Sequence, residues 1–162
     1  MNGLNAMAKK KSTVSNKIIF SFHLRFASKK RNVRHATKFL TEVRKNISLD
    51  DELYGNILIA LTEAVNNAIV HGNKCDENKY ISIRCDRYRN RLEFSITDEG
   101  QGFNPDIIPN PLAEENLMKE GGRGVHIIRT LTDRMKFKIQ PGGMEIRFSI
   151  KLPPPPTRMK ND

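Results

Sequence analysis

The chain of 162 residues contains no tryptophan and only two cysteines, Cys75 and Cys85. Neither has a second Cys or a His at a spacing typical of metal ligands, which argues against a zinc site and a disulfide scaffold. A reducing cytoplasm is the simplest setting for such a chain. No apolar run approaches the roughly 20 residues of a membrane-spanning helix, and no apolar cleavable leader follows the basic residues near the N-terminus. The sequence predicts a soluble cytoplasmic protein without membrane contact.

Acidic residues are few relative to basic ones, and the formal net charge is +10 at pH 7. This balance suits an anionic partner such as a nucleotide or an acidic protein surface, or it is simply a solvated basic surface. The basic residues are spread over the termini and the segments 29–46 and 84–91, with no single stripe interleaved with aromatic residues. Nucleic acid is therefore an unfavoured partner.

Length and local composition predict one folded domain with two tails. Residues 1–16 are small, polar and basic, and we expect them to form a disordered tail. Residues 17–152 carry the periodic patterns of a domain. Residues 153–162 begin with four prolines, which predicts an extended tail.

Alternating apolar residues predict five strands, and helical periodicity predicts three main helices. The strands lie in the segment 17–26 and in two hairpins, 79–97 and 135–150. The first helix is expected over 29–46. The second is expected to begin at a capping box formed by Ser48 and Asp51 and to end at a C-cap glycine, Gly72. The third is expected to begin at about Arg123. Because alternating strands bury one face, the fold class is α+β: a two-layer sandwich of one mixed or antiparallel sheet with three helices on one face.

The first candidate site lies in the helical segment 61–72, which reads L-T-E-A-V-N-N-A-I-V-H-G. Glu63 and Asn67 are four residues apart and so lie about 40° apart on the helix, at one edge of an apolar stripe. A carboxylate there can act as a general base, and a carboxamide oxygen can ligate a hard cation such as Mg²⁺. The alternative is that Glu63 is solvated and Asn67 caps the helix end.

Two glycine-containing segments form the other candidates. The first, D-E-G-Q-G at 98–102, follows an apolar strand directly. The carboxylate of Asp98 can accept a hydrogen bond from a ligand, and the glycines let the backbone approach that ligand closely. The alternative is that the segment is only a strand-ending turn. The second, G-G-R-G at 121–124, opens the third predicted helix. Free backbone N–H groups at the start of this helix can bind an anion, and the guanidinium of Arg123 adds further hydrogen-bond donors. The alternative is that the segment is a flexible hinge.

In this order, E-x-x-x-N on a helix, D-x-G-x-G after a strand and G-x-G opening a later helix resemble the N, G1 and G2 boxes of the Bergerat-fold, histidine-kinase-like ATPases. Within that superfamily, the 61–72 segment and G-R-G-V-H-I-I at 122–128 look most similar to the anti-sigma factor serine kinases of bacterial partner-switching systems. The resemblance spans roughly residues 18–150. It implies the Bergerat fold, ATP and Mg²⁺ as cofactors, and serine/threonine protein kinase activity.

The resemblance also implies roles for the matching residues. Asn67 would hold Mg²⁺ at the triphosphate, Glu63 would be the catalytic base, and Asp98 would accept a hydrogen bond from the adenine amino group. The remaining implied nucleotide contacts are Gly100 and Gly102 at the adenine pocket and Gly122, Arg123 and Gly124 at the phosphates. Residues 103–120 would form a lid over the nucleotide.

One position departs from the family pattern. Met144 stands near the start of the last strand, where the family usually has Thr. A thioether cannot donate a hydrogen bond, so the adenine contact is expected to be looser or rearranged there.

Two functions fit these expectations. The leading one is an anti-sigma regulatory factor that phosphorylates a small anti-anti-sigma protein, with a sigma factor and a second copy of the chain as further candidate partners. The alternative is a non-catalytic module that keeps the fold, binds nucleotide and sequesters a protein partner.

Overall fold

The computed structural model describes the backbone of residues 17–101 and 120–153, and the side chains of 17–101 and 123–153. The predicted tails therefore fall outside the described residues, except for Pro153. The same holds for Gly102 and for all but the last residue of the predicted lid.

The described part of the chain forms one five-stranded sheet in which every neighbouring pair is antiparallel. The strand order is β1-β2-β3-β5-β4. The strands are β1 Phe20–Ala27, β2 Tyr80–Arg87, β3 Arg91–Thr97, β4 Arg134–Gln140 and β5 Gly143–Lys151. Both predicted hairpins are present, and the predicted antiparallel sheet is confirmed.

Three α-helices pack on the buried face of this sheet. They are α1 His35–Asn46, α2 Asp51–Asn67 and α3 Glu120–Leu131. A 3₁₀ turn, Lys30–Arg34, precedes α1, and a π-helical turn, Ala68–Gly72, continues α2. The predicted helix over 29–46 is thus divided into two, and the predicted third helix begins three residues earlier than Arg123.

The α2 helix lies at the centre of the core because its apolar residues recur at helical spacing. Its fully buried residues are Ile57, Ala60, Leu61, Ala64 and Val65. Beneath it, Phe94 and Phe148 stack across β3 and β5 with ring centroids 5.1 Å apart. Glu63 and Asn67 therefore project from a helix that the core holds in place.

The start and end of α2 differ from the predicted signals. The N-cap is Asp50, whose carboxylate accepts a hydrogen bond from the Leu53 backbone N–H at 2.7 Å, so the Ser48 capping box is wrong. Gly72 lies inside the π-helical turn, and left-handed φ angles occur at Lys74 (57°) and Cys75 (60°) instead. Gly72 is therefore not a left-handed C-cap. Its lack of a side chain instead allows a close contact with the side chain of Asp98.

By length and composition, the helical segment Asp51–Gly72 meets the requirements for crossing a membrane, which the sequence-based reasoning missed. This is a weak indication, because the central helix of a packed core passes the same test.

Candidate functional site

The first part of the site lies where α2 and α3 touch. A Cβ on Gly124 would stand 2.8 Å from Glu63 Oε2 and 3.1 Å from Asn67 Nδ2. The absence of a side chain at Gly124 therefore lets α3 approach the two polar residues predicted on α2. The structure brings these three predicted residues together.

Asn67 carries an unsatisfied polar group at this contact. Its Nδ2 is buried and has no hydrogen-bond partner within the described ranges. Leaving a buried amide unpaired costs about 1–3 kcal/mol, so such a group commonly serves a ligand. A half-turn of the amide presents Oδ1 instead, which is the kind of ligand that Mg²⁺ prefers.

The chemistry of this site suits a cation held largely by other ligands. In the parts of the chain that the structure describes, no group of three or more His, Cys, Asp or Glu could hold a metal ion. Mg²⁺ keeps several waters and commonly binds through one or two protein oxygens plus substrate phosphates. Asn67 with a triphosphate fits that pattern, and a metal cage built only of protein ligands does not.

The start of α3 fits an anion. The helix begins at Glu120, so Gly122 lies in its first turn, where backbone N–H groups lack partners within the helix. Arg123 is exposed. Gly124 lies deeper in the helix, and its clearest structural role is the close approach to α2.

The second part of the site is built around Asp98, which directly follows β3 and is 2% exposed. Its Oδ1 accepts hydrogen bonds from the backbone N–H of Gly100 at 2.9 Å and of Met144 at 3.2 Å. Burial raises the pKa of Asp98 above its ordinary value, and the two N–H groups and the charge of Lys79 oppose that rise. Among the described residues, these hydrogen bonds reach only Oδ1, which leaves Oδ2 for a ligand.

The hydrogen bonds between Asp98 and Met144 use the backbone of Met144, so they do not depend on which side chain stands at this position. The backbone N–H of Met144 donates to Asp98, and its carbonyl accepts from the Asp98 N–H at 3.0 Å. The main chain of β5 thus orients the carboxylate. The looser or rearranged adenine contact expected at Met144 stays a prediction, because it concerns the ligand side of the site and not the support of Asp98.

Three glycines allow the backbone segments around Asp98 to touch. A Cβ on Gly72 would collide with the Asp98 carboxylate, one on Gly100 with the Gly72 carbonyl, and one on Gly143 with the Asp98 carbonyl oxygen. Each contact excludes any side chain. Gly72 and Gly143 were not among the predicted site residues, although the first ended the predicted helix and the second lay in the predicted turn.

A cavity of about 490 Å³ opens beside Asp98. It is lined by His71, Gly72, Lys74, Lys79, Asp98, Gln101 and Met144. Its volume falls in the range of small-molecule sites. A larger concavity of about 600 Å³ lies over the open face of the sheet, beside Arg84, Asp86 and Arg147, but contains none of the predicted site residues.

The two parts of the site share one helical support. From Glu63 to Gly72, α2 and its π-helical turn advance roughly 13 Å at a rise of about 1.5 Å per residue. This separation suits a nucleoside triphosphate lying along the helix, with the base at Asp98 and the phosphates at the start of α3. Gly102, the remaining predicted contact, is outside the described residues.

Comparison with known proteins gives a family match over most of the chain. A family model described as a histidine kinase-like ATPase domain matches residues 26–150. The serine-protein kinase RsbW of Bacillus subtilis (strain 168) is 33% identical over 93 residues, which cover 54% of this chain and 58% of that protein. The serine-protein kinase RsbW of Listeria innocua is 28% identical over 109 residues, covering 64% and 69%. The chain thus spans somewhat more than half the length of these relatives.

Solved structures share the fold at lower sequence identity. The RsbU and RsbW domains of Rv1364c from Mycobacterium tuberculosis match with a TM-score of 0.61 and 18% identity, covering 83% of this chain and 34% of that one. The catalytic domain of the histidine kinase ThkA matches with a TM-score of 0.52 and 15% identity, covering 80% and 95%. These likenesses confirm the predicted fold.

Proposed function

Because the chain belongs to the histidine kinase-like ATPase domain family, we propose that it is an ATP-dependent protein serine/threonine kinase. The observation that carries the proposal is the contact of Glu63 and Asn67 with Gly124, about one turn after the start of α3. A carboxylate, an unsatisfied amide and a nearby helix N-terminus can together serve phosphoryl transfer, since its catalysis rests on positioning and charge stabilisation.

Each residue has a defined task in this proposal. Glu63 accepts the proton of the attacking serine hydroxyl while the terminal phosphoryl group moves to the serine oxygen and ADP leaves. Asn67 is the protein ligand of Mg²⁺, which when bound neutralises charge on the phosphates. The first turn of α3 donates the backbone N–H of Gly122 to those phosphates, and the guanidinium of Arg123 adds side-chain donors.

The purine end of the site selects the base. Asp98 accepts a hydrogen bond from the adenine amino group, while Gly100 lets the backbone lie close to the ring, a role that we propose for Gly102 as well. Guanine presents a carbonyl oxygen at the position of that amino group, so it would face a carboxylate. The proposal therefore favours ATP over GTP.

The partner follows from the relatives. The similar proteins are named serine-protein kinases, and we propose a small anti-anti-sigma-like protein with an acceptor serine as the substrate, with a sigma factor as a second partner. A formal net charge of +10 favours an acidic partner surface. A homodimer remains part of the proposal, as do a cytoplasmic location and terminal tails at 1–16 and 153–162.

The test is phosphoryl transfer from labelled ATP to candidate anti-anti-sigma proteins. Glu63→Gln should keep nucleotide affinity within about threefold but slow transfer by on the order of 10²–10⁴, the usual size of a general-base contribution. Glu52→Gln is the matched control, because Glu52 lies exposed on the same helix. If the Glu63→Gln variant transferred phosphate at the wild-type rate, the proposed catalytic role of Glu63 would be wrong. Tight ATP and partner binding without transfer in the wild type would favour the sequestering module instead.

A further inference from the structure

Asn73 is fully buried at the end of the π-helical turn and uses both ends of its side-chain amide. Its Nδ2 donates to the Tyr80 carbonyl at 3.0 Å. Its Oδ1 accepts from the Glu99 backbone N–H at 2.8 Å. A buried amide with both groups satisfied fixes the relative position of the segments it joins.

Glu99 completes a closed ring of hydrogen bonds. Its carboxylate accepts from the Tyr80 backbone N–H at 3.0 Å, so Asn73, Tyr80 and Glu99 are each bonded to the other two. Arg25 of β1 braces the ring from outside: its guanidinium pairs with Glu99 at 2.9 Å and lies 3.7 Å over the ring of Tyr80. The three joined segments are the end of α2, the start of β2 and the segment after β3.

This ring includes the backbone N–H of Glu99, in the peptide group that directly follows Asp98. Asn73 holds the N–H of the residue directly after Asp98, and Gly72, directly before Asn73, touches the Asp98 carboxylate. Gly100, which donates to Asp98, rests on the Gly72 carbonyl. A shift at Asn73 must therefore move the carboxylate or its donor.

We infer that Asn73 is a positioning residue for base selection: through Glu99 it fixes Asp98 in the orientation that discriminates a 6-aminopurine from a 6-oxopurine. The inference rests on the proposed nucleotide site. Discrimination of this kind depends on the direction of one carboxylate. A rotated Asp98 still lines the cavity, but its Oδ2 no longer points at the exocyclic group of the base. Asn73 itself does not line the cavity.

Two variants separate the two ends of the amide. Asn73→Ala removes both hydrogen bonds. Asn73→Asp keeps an acceptor for the Glu99 N–H and loses the donor to Tyr80. The matched control is Asn78→Ala, since Asn78 is exposed in the same connection between helix and strand.

The measurement is calorimetric binding of ATP and GTP, with thermal unfolding recorded for each variant. For Asn73→Ala we expect the ratio of ATP to GTP affinity to fall about tenfold, the effect of misdirecting one charge-assisted hydrogen bond. Asn73→Asp should retain the ratio within about threefold, even if its unfolding temperature falls. A lowered unfolding temperature with the wild-type ratio in both variants would show a merely structural role and overturn the inference.

A double variant tests whether Asn73 acts through Asp98. In the Asp98→Asn background, adding Asn73→Ala should change the affinity ratio by less than about twofold, because residues in one network are not additive. An additive loss would contradict the inference.

A readout without nucleotide keeps the inference separate from the proposed function. NMR titration of the Asp98 carboxyl should show its pKa raised further in Asn73→Ala, because the Gly100 N–H is no longer held against it, and unchanged in Asn78→Ala. If the wild type binds no nucleotide, the proposed function fails while this titration still decides whether Asn73 positions Asp98. An unchanged Asp98 titration in Asn73→Ala overturns the inference.

Discussion

Asp98 is under two opposing influences. Burial disfavours its charge and raises its pKa, while two backbone N–H groups and Lys79 favour the charge. Because the folded pKa is raised above the ordinary 3.8, the ionised carboxylate lowers the stability of the folded state above that pKa. That unfavourable contribution disappears as the pH falls through the folded pKa toward 3.8.

The same shift predicts a pH dependence of ATP binding. The adenine amino group donates, so it binds the ionised form of Asp98 better, and protonation removes a charge-assisted hydrogen bond. As the pH falls from 7 through the raised pKa toward 3.8, we expect the ATP affinity of the wild type to fall by up to about tenfold more than that of Asp98→Asn. The Asn variant subtracts the titration of the phosphates. Parallel pH profiles for the two proteins would mean that Asp98 does not contact the base.

At the scale of elements, the site depends on how closely α3 packs on α2. Among the residues that the structure describes, the one atom that an added methyl at Gly124 would meet below 3.0 Å is Oε2 at the end of the Glu63 side chain, which can move aside. Replacing glycine within a helix by alanine stabilises it by roughly 0.5–1 kcal/mol. An alanine at position 124 therefore raises the stability of the helix but displaces the carboxylate of Glu63, the proposed general base.

We therefore expect Gly124→Ala to leave the unfolding temperature unchanged or slightly higher, while phosphoryl transfer falls by on the order of 10- to 100-fold, part of a general-base contribution. Gly55→Ala is the control on α2, because a Cβ there meets nothing within 4 Å and should stabilise the protein without changing transfer. Undiminished transfer by Gly124→Ala would show that the contact has no catalytic consequence.

The elements were largely predictable from local pattern, and their contacts were not. Alternating residues such as Leu92, Phe94 and Ile96 identify β3 because a half-buried strand requires that period. The Ser48 capping box failed because Asp50 offers a carboxylate three residues before the Leu53 N–H, a choice that local pattern leaves open. Asn73 carries no periodic signal, since its partners lie 7 and 26 residues away.

At the scale of the whole molecule, the proposed nucleotide site exists only when the chain is folded. Its residues come from α2, the end of β3, α3 and the start of β5. One continuous hydrophobic cluster joins the described elements, including Leu40 of α1, Ile57 of α2, Phe94 of β3 and Phe148 of β5. A single core of this size generally unfolds in one cooperative step.

These two facts predict a large thermal shift. A ligand that binds the folded but not the unfolded chain stabilises it by about 2.7 kcal/mol at 100 times its dissociation constant. For a domain of this size, that energy raises the unfolding temperature by roughly 5–10 °C. We expect one calorimetric transition, and we expect Mg²⁺ and ATP together to raise its temperature by this amount. GTP at the same concentration should raise the temperature less, and so should ATP when EDTA removes the cation. Asp98→Asn should reduce the difference between the temperature shifts caused by ATP and by GTP. Asn67→Ala should reduce the difference between the shifts that ATP causes with and without Mg²⁺. Equal shifts with ATP and GTP would remove the base selectivity argued for Asp98, while two separate transitions would show that the described elements do not share one core.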